Sequence, residues 1–98
     1  MPKYSVRFHQ EAVKESEKSQ GWYLQRNPVA AYGFVNELSH AIEMVANSPE
    51  RWPKYKSGTR RYIFPRYPFS LIYRINKNII EVLAIAHQKK RPDYWAKR

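Results

Sequence analysis

The chain has 98 residues, no cysteine, and 18 Lys and Arg against 8 Asp and Glu, for a formal charge of +10. One modest core can close at this length without staples, so a single domain over residues 1–98 is expected, and disulfide scaffolds and thiolate metal sites are excluded. No stretch has the apolar length to cross a bilayer, and Met1-Pro2-Lys3-Tyr4 lacks the apolar core of a signal peptide, so a soluble cytoplasmic protein without a membrane role is expected.

The charge is unevenly placed. Residues 1–50 hold five Lys and Arg against six Glu, a balance of −1, whereas residues 51–98 hold thirteen against Glu81 and Asp93, a balance of +11. A polyanionic or acidic partner for the second half follows from that field, unless it serves solubility alone.

In chain order, Lys3 to Phe8 alternates with Tyr4, Val6 and Phe8 on one side, the period of a half-buried strand. Glu11 to Gln25 lacks Pro and is rich in helix formers. Its stripe of Ala12, Ser16, Ser19 and Tyr23 predicts a small-residue face that lets a neighbour approach closely. Asn27 is a suitable N-cap and Pro28 a suitable first residue for a second helix. In it Ala31, Phe34, Val35, Leu38, Ala41, Ile42 and Val45 recur at core-facing spacing, and Asn47-Ser48-Pro49 ends it. The short gap between the helices predicts an antiparallel hairpin.

Residues 49–57 read as a loop in which cations and aromatics interleave. Strands follow at Thr59–Phe64 and Phe69–Ile75, the second with Phe69, Leu71, Tyr73 and Ile75 on one face. Asn76-Lys77-Asn78 predicts a hairpin turn. Ile79 to Ala86 is an apolar run suited to burial on both faces, and it leads into His87 and the basic Lys89-Lys90-Arg91 before a break at Pro92. The expected fold class is therefore α+β, two-layer, in the order β-α-α-β-β-β. A C-terminal antiparallel meander is joined by the first strand and covered by the helical hairpin.

There is no Gly-rich phosphate loop and no His/Cys cluster with metal spacing, so neither cofactor nor metal is expected. His9, at a strand end, and His40, off the apolar stripe, read as solvent-facing. Strand parity groups His87 with Leu83 and Ile85. Arg60, Arg61 and Arg74 could face the open side or edge of the sheet. Cations for phosphates and aromatics for bases would suit nucleic acid. They would also suit metal-free RNA cleavage, with His87 as acid or base because it titrates near neutrality. The plainer alternatives are that His87 is an ordinary strand-end residue and that Tyr94 and Trp95 staple the tail to the core.

Several pieces together resemble the RelE/ParE superfamily, the toxins of bacterial type II toxin–antitoxin modules, often described as plasmid stabilisation proteins. They are the element order, the helix pair closed by Asn47-Ser48-Pro49, the Thr59-Arg60-Arg61-Tyr62-Ile63-Phe64 strand, the Tyr67-Pro68-Phe69 and Leu71-Ile72-Tyr73-Arg74-Ile75 segments, and above all Ala86-His87-Gln88-Lys89-Lys90-Arg91-Pro92-Asp93-Tyr94-Trp95. The basic tail is similar to the ParE side of the superfamily. That resemblance implies a toxin that poisons DNA gyrase without chemistry of its own, with Lys89, Lys90, Arg91, Tyr94 and Trp95 meeting the target. The RelE side implies instead a ribosome-dependent mRNA endonuclease, with His87, Arg60, Arg61 and Arg74 as catalytic candidates. A basic binding domain without toxicity is the third reading. The resemblance also implies a cognate antitoxin whose disordered segment wraps the toxin in a hetero-oligomer.

Overall fold

In the computed structural model, which describes residues 4–98, the chain forms β1 (Ser5–Phe8), α1 (Gln10–Arg26), α2 (Pro28–Asn47), β2 (Arg60–Ile63), β3 (Phe69–Asn76) and β4 (Ile79–His87). The α+β class and the order of elements agree with the sequence; the Lys3 end of the first expected strand lies outside the described residues. Two short 3-10 turns, Pro49–Arg51 and Lys56–Gly58, structure what reads as plain loop. Gly58 takes a left-handed φ of 72°, which its missing Cβ permits, on the way into β2.

Capping explains the helical hairpin. The Asn27 side chain accepts the Val29 N–H at 3.0 Å and starts α2, while its own N–H donates to the Tyr23 carbonyl at 2.7 Å and ends α1. One residue thus separates two helices and turns the chain back. His9 is not simply solvent-facing as expected. It caps α1, its Nδ1 accepting the Glu11 N–H at 3.0 Å.

The helices cover one face of a four-stranded sheet in the order β1-β4-β3-β2. β1 runs parallel to β4, and β2-β3-β4 is the antiparallel meander. Ala12 on α1 is fully buried, so its small-residue face approaches closely as its spacing implies. Phe34, Ala41 and Val45 of α2 close the core against Leu71, Tyr73, Ile80 and Val82. Each such large apolar side chain contributes about 1.5–3 kcal/mol on full burial.

The parity expected of β4 is corrected. Ile72 pairs with Ala84 but Tyr73 pairs with Val82, so Leu83 is an extra residue in β4, a β-bulge. Ile80, Val82 and Ile85 pack under the helices, whereas Leu83, Ala84 and Ala86 join Ile72 in a second cluster on the opposite face. That cluster is closed by Trp95, with Tyr55 and Tyr94 packed against it, so the chain after β4 lies over part of the face left open by the helices. No helix among the described residues is long and apolar enough to cross a membrane.

Candidate functional site

The basic turn after β4 is set by backbone bonds at its start. The Gln88 N–H reaches back to the Pro68 carbonyl at 2.9 Å, and the Lys90 N–H donates to the His87 carbonyl at 2.9 Å. Lys89, Lys90 and Arg91 are all exposed there. His87 pairs with Phe69 across the ladder and meets its ring edge-on, with centroids 5.0 Å apart. Its Nδ1 accepts the Lys89 N–H at 3.1 Å, so in the neutral ring Nε2 carries the proton. Beside this turn a cleft of about 560 Å³ opens between α1 and the end of the sheet. Trp22, Phe69 and Tyr94 supply apolar wall, and Lys18, Lys89 and Lys90 supply charge.

The catalytic candidates do not converge. Arg60, opposite Tyr73 in the ladder, donates through Nη1 to the carbonyls of Trp52 at 2.7 Å and Glu50 at 3.1 Å, and so pins the loop before β2. Arg74 pairs with Glu81 across β3 and β4 at 2.7 Å. Both border a groove of about 510 Å³ with Lys54 and Tyr55. Arg61, opposite Ile72, lies on the other face of the sheet from Arg60, with its guanidinium 4.1 Å over the Tyr55 ring. It shares a small hollow of about 110 Å³ with His87 and Lys90. Thus two of the three arginines are held by internal partners away from His87, and only Arg61 comes near it.

Of the residues expected to meet a target, Trp95 is corrected. It is 2% exposed and stacks on Tyr55 at 5.6 Å, and in this conformation it offers no surface to a partner. Tyr94 is half-buried. Its hydroxyl donates to Glu15 Oε2 at 2.7 Å, and burial, reinforced by that bond to the protonated form, raises its pKa. Its ring faces the cleft, with Lys90 Nζ 5.5 Å from the centroid.

Glu15 and Arg98 are absent from the sequence-based candidates. The Arg98 guanidinium meets both Glu15 oxygens at 3.0 Å and also donates to the Leu83 carbonyl at 2.9 Å. Burial alone would lower the Arg98 pKa; the Glu15 bonds outweigh it, and the net direction is up. A signal was present: Glu15 falls on the same stripe as Ala12, Ser16 and Ser19, and a carboxylate on a core-facing stripe demands a partner. Among the described residues, no group of three or more His, Asp or Glu is placed to hold a metal ion.

The helical hairpin on a mixed four-stranded sheet, with a basic turn and a cation-rimmed cleft, defines a small protein whose exposed chemistry is suited to gripping another macromolecule. The family profile described as "ParE toxin of type II toxin-antitoxin system, parDE" matches residues 6–92, and the chain belongs to that family. The fold is similar to a structure titled "Chromosomal ParDE TA system from P. aeruginosa", at 19% identity and a TM-score of 0.75, covering 86% of this chain and 95% of that one. It is also similar to the toxin–antitoxin complex RelBE2 from Mycobacterium tuberculosis, at 24% identity and a TM-score of 0.57, covering 89% and 99%. No curated protein sequence matches.

Proposed function

We propose that this toxin arrests growth by poisoning DNA gyrase in the cytoplasm, gripping it through Lys89, Lys90, Arg91 and the adjoining cleft, without catalysing a reaction itself. The observation that carries this reading is the dispersal of the groups a nuclease would need. Metal-free RNA cleavage requires an acid, a base and cations converging on one phosphate. Here Arg60 is bonded to carbonyls, Arg74 to Glu81, and only Arg61 approaches His87. The basic turn, by contrast, is exposed and carries three adjacent cations. Neutralisation by a cognate antitoxin belongs to the same proposal: the net charge of +10 and the apolar-walled cleft suit an acidic segment that folds on binding.

The test is a gyrase supercoiling assay with purified toxin, alongside transcript mapping in arrested cells. Blocked supercoiling or trapped cleavage complexes, with uncut transcripts, are expected. Reversing Lys89, Lys90 and Arg91 to Glu should abolish the effect while the protein stays folded in urea titrations, because exposed substitutions usually shift stability by no more than about 0.5 kcal/mol each. Unaffected supercoiling at excess toxin, together with codon-positioned mRNA cuts that His87→Ala reduces, would replace this reading with the endonuclease one and give the Arg61–His87 hollow a catalytic role.

A further inference from the structure

The polypeptide after β4 is held to the domain chiefly by side chains. Past Gln88, the backbone bonds of this segment are local turns: Lys90 to His87, Ala96 to Asp93, Arg98 to Trp95. What fastens it is the Trp95 ring in the second cluster, the Ser57 hydroxyl on the Asp93 carboxylate, the Arg98 guanidinium on the Leu83 carbonyl, and one carboxylate on α1. That carboxylate is Glu15, which receives four donors. Oε1 takes the Ile85 N–H and Arg98 Nη1, both at 3.0 Å, and Oε2 takes the Tyr94 hydroxyl at 2.7 Å and Arg98 Nη2 at 3.0 Å.

Position makes this more than a surface ion pair. The Leu83 carbonyl, which Arg98 also binds, belongs to the bulge residue of β4, and the Ile85 N–H follows it two residues on. Glu15 and Arg98 therefore satisfy backbone groups at the irregularity and join three parts of the chain there: α1, β4 and the C-terminal segment. The side chains are only 20% and 16% exposed, and bidentate, charge-assisted bonds of this kind fix geometry tightly. The cleft's polar contributors include Glu15 itself, Lys89 and Lys90, with Tyr94 between them.

We propose that Glu15 and Arg98 form a latch that positions the Lys89–Arg91 turn against the cleft, and that toxicity depends on the latch although neither side chain belongs to the exposed basic grip. The proposal rests on the reading that this turn meets the target. With the latch closed, the basic turn is held between the end of β4 and the docked Tyr94 and Trp95, so its three charges keep one orientation. With it open, the Tyr94 and Arg98 attachments are lost; the bonds of the Gln88, Lys89 and Lys90 N–H groups still hold the start of the turn, but its far side, leading from Arg91 into the segment, gains arrangements whose ordering weakens binding.

The experiment uses Glu15→Gln, which keeps size and a carbonyl oxygen for the Ile85 N–H, and Arg98→Leu. A milder third variant is Arg98→Lys, whose ammonium cannot span both carboxylate oxygens. Amide hydrogen exchange of the purified toxin and growth arrest on graded induction are read for each, with Val45→Ala in the distant α2 core as a control for general destabilisation. In Glu15→Gln and Arg98→Leu, the Ala96 and Arg98 amides, which are bonded within the segment, should exchange about tenfold faster or more, while those of β3 and α2 change less than about twofold. Arrest should weaken about tenfold, and Arg98→Lys should be intermediate. Val45→Ala should keep both the segment's relative protection and the arrest. Exchange that rises uniformly, or not at all, would overturn the latch; a loosened segment with full arrest would overturn its positioning role. Neither readout involves gyrase, so arrest by the wild type with gyrase untouched would sink the target assignment and leave this test standing.

Discussion

Replacing Trp95 separates packing from recognition. Its ring is 2% exposed, lies against Ile72, Leu83, Ala84 and Ala86, and stacks on Tyr55 with an interplanar angle of 25°. Trp95→Ala removes that ring from a buried cluster and should cost about 3–5 kcal/mol, the range for truncating a large aromatic in a core. At about 4–8 °C per kcal/mol for a domain of this size, the midpoint should fall by at least about 12 °C. Trp95→Phe is the informative partner. The indole Nε1 is buried without a hydrogen-bond partner in the protein, so the phenyl ring breaks no bond to it and leaves only a small void, and the cost should be well below that of alanine. Urea unfolding of both variants at an unchanged m-value gives the stabilities. Growth arrest on induction gives the function, and Trp95→Phe should arrest cells as the wild type does. A Trp95→Phe protein with normal stability and no toxicity would refute the reasoning, because it would mean that the indole itself touches the target.

Gly33→Ala should destabilise the protein even though it sits in a helix, where alanine is ordinarily favoured by about 1 kcal/mol. A Cβ at Gly33 would run into the Tyr67 hydroxyl, which donates to the Ala30 carbonyl at 2.5 Å. The penalty should shrink in a Tyr67→Phe background, which removes the hydroxyl but leaves the ring close by, and thermal melts measure it; a single Gly33→Ala that raises the midpoint would contradict the geometry. Burial of Tyr73, whose hydroxyl donates to the Pro49 carbonyl, pushes its phenol from 10.0 up to about 12. Above pH 10 the unfolded phenol gives up its proton while the folded one keeps it, so this group's stabilisation, complete below pH 10, falls by up to about 1.4 kcal/mol per pH unit until about pH 12. Tyr73→Phe should lower the baseline stability and make that slope shallower in urea titrations between those pH values, leaving the part due to the other buried tyrosines such as Tyr94; an unchanged slope would show that Tyr73 titrates normally.

Local signals made the first half of the fold legible. Asn27-Pro28 marks the hairpin because capping and a missing N–H act on neighbouring residues, and the α2 stripe is a strong periodic pattern. The meander was legible for the same reason, since short turns leave only antiparallel pairing. The bulge at Leu83 was not. β4 is apolar on both faces, so a one-residue shift in parity leaves no mark in its pattern. The strand parity of His87 with Leu83 failed there, although its parity with Ile85 holds. The basic turn could be read from composition, whereas the latch could not be completed. Glu15 is visibly misplaced on a small-residue stripe, but its partners lie 70 to 83 positions away, beyond any local rule. For Trp95 the sequence left target contact and stapling of the tail to the core as alternatives, and the cluster beneath it, which depends on the bulge, was invisible.

The charge of the second half divides in part by side-chain type: its lysines are all exposed, and so are Arg51, Arg66 and Arg91, but its other four arginines are engaged within the fold, which bears on where the toxin meets its partners. The guanidiniums of Arg60, Arg61, Arg74 and Arg98 are engaged within the fold, on carbonyls, an aromatic face and two carboxylates. A planar, fork-shaped donor suits such fixed contacts, whereas an ammonium on a flexible stem suits a solvated field. Lys54, Lys56, Lys77, Lys89, Lys90 and Lys97 are all exposed. The balance of +11 read from composition therefore overstates the charge available to a partner, since part of it is compensated or geometrically committed. Of what remains, Lys89, Lys90 and Arg91 are consecutive and stand beside an apolar-walled cleft. An exposed field alone would attract any polyanion and fade with salt. A field joined to an apolar cleft, and held in one orientation by a latch at the strand bulge, can discriminate among anionic surfaces by shape as well as by charge.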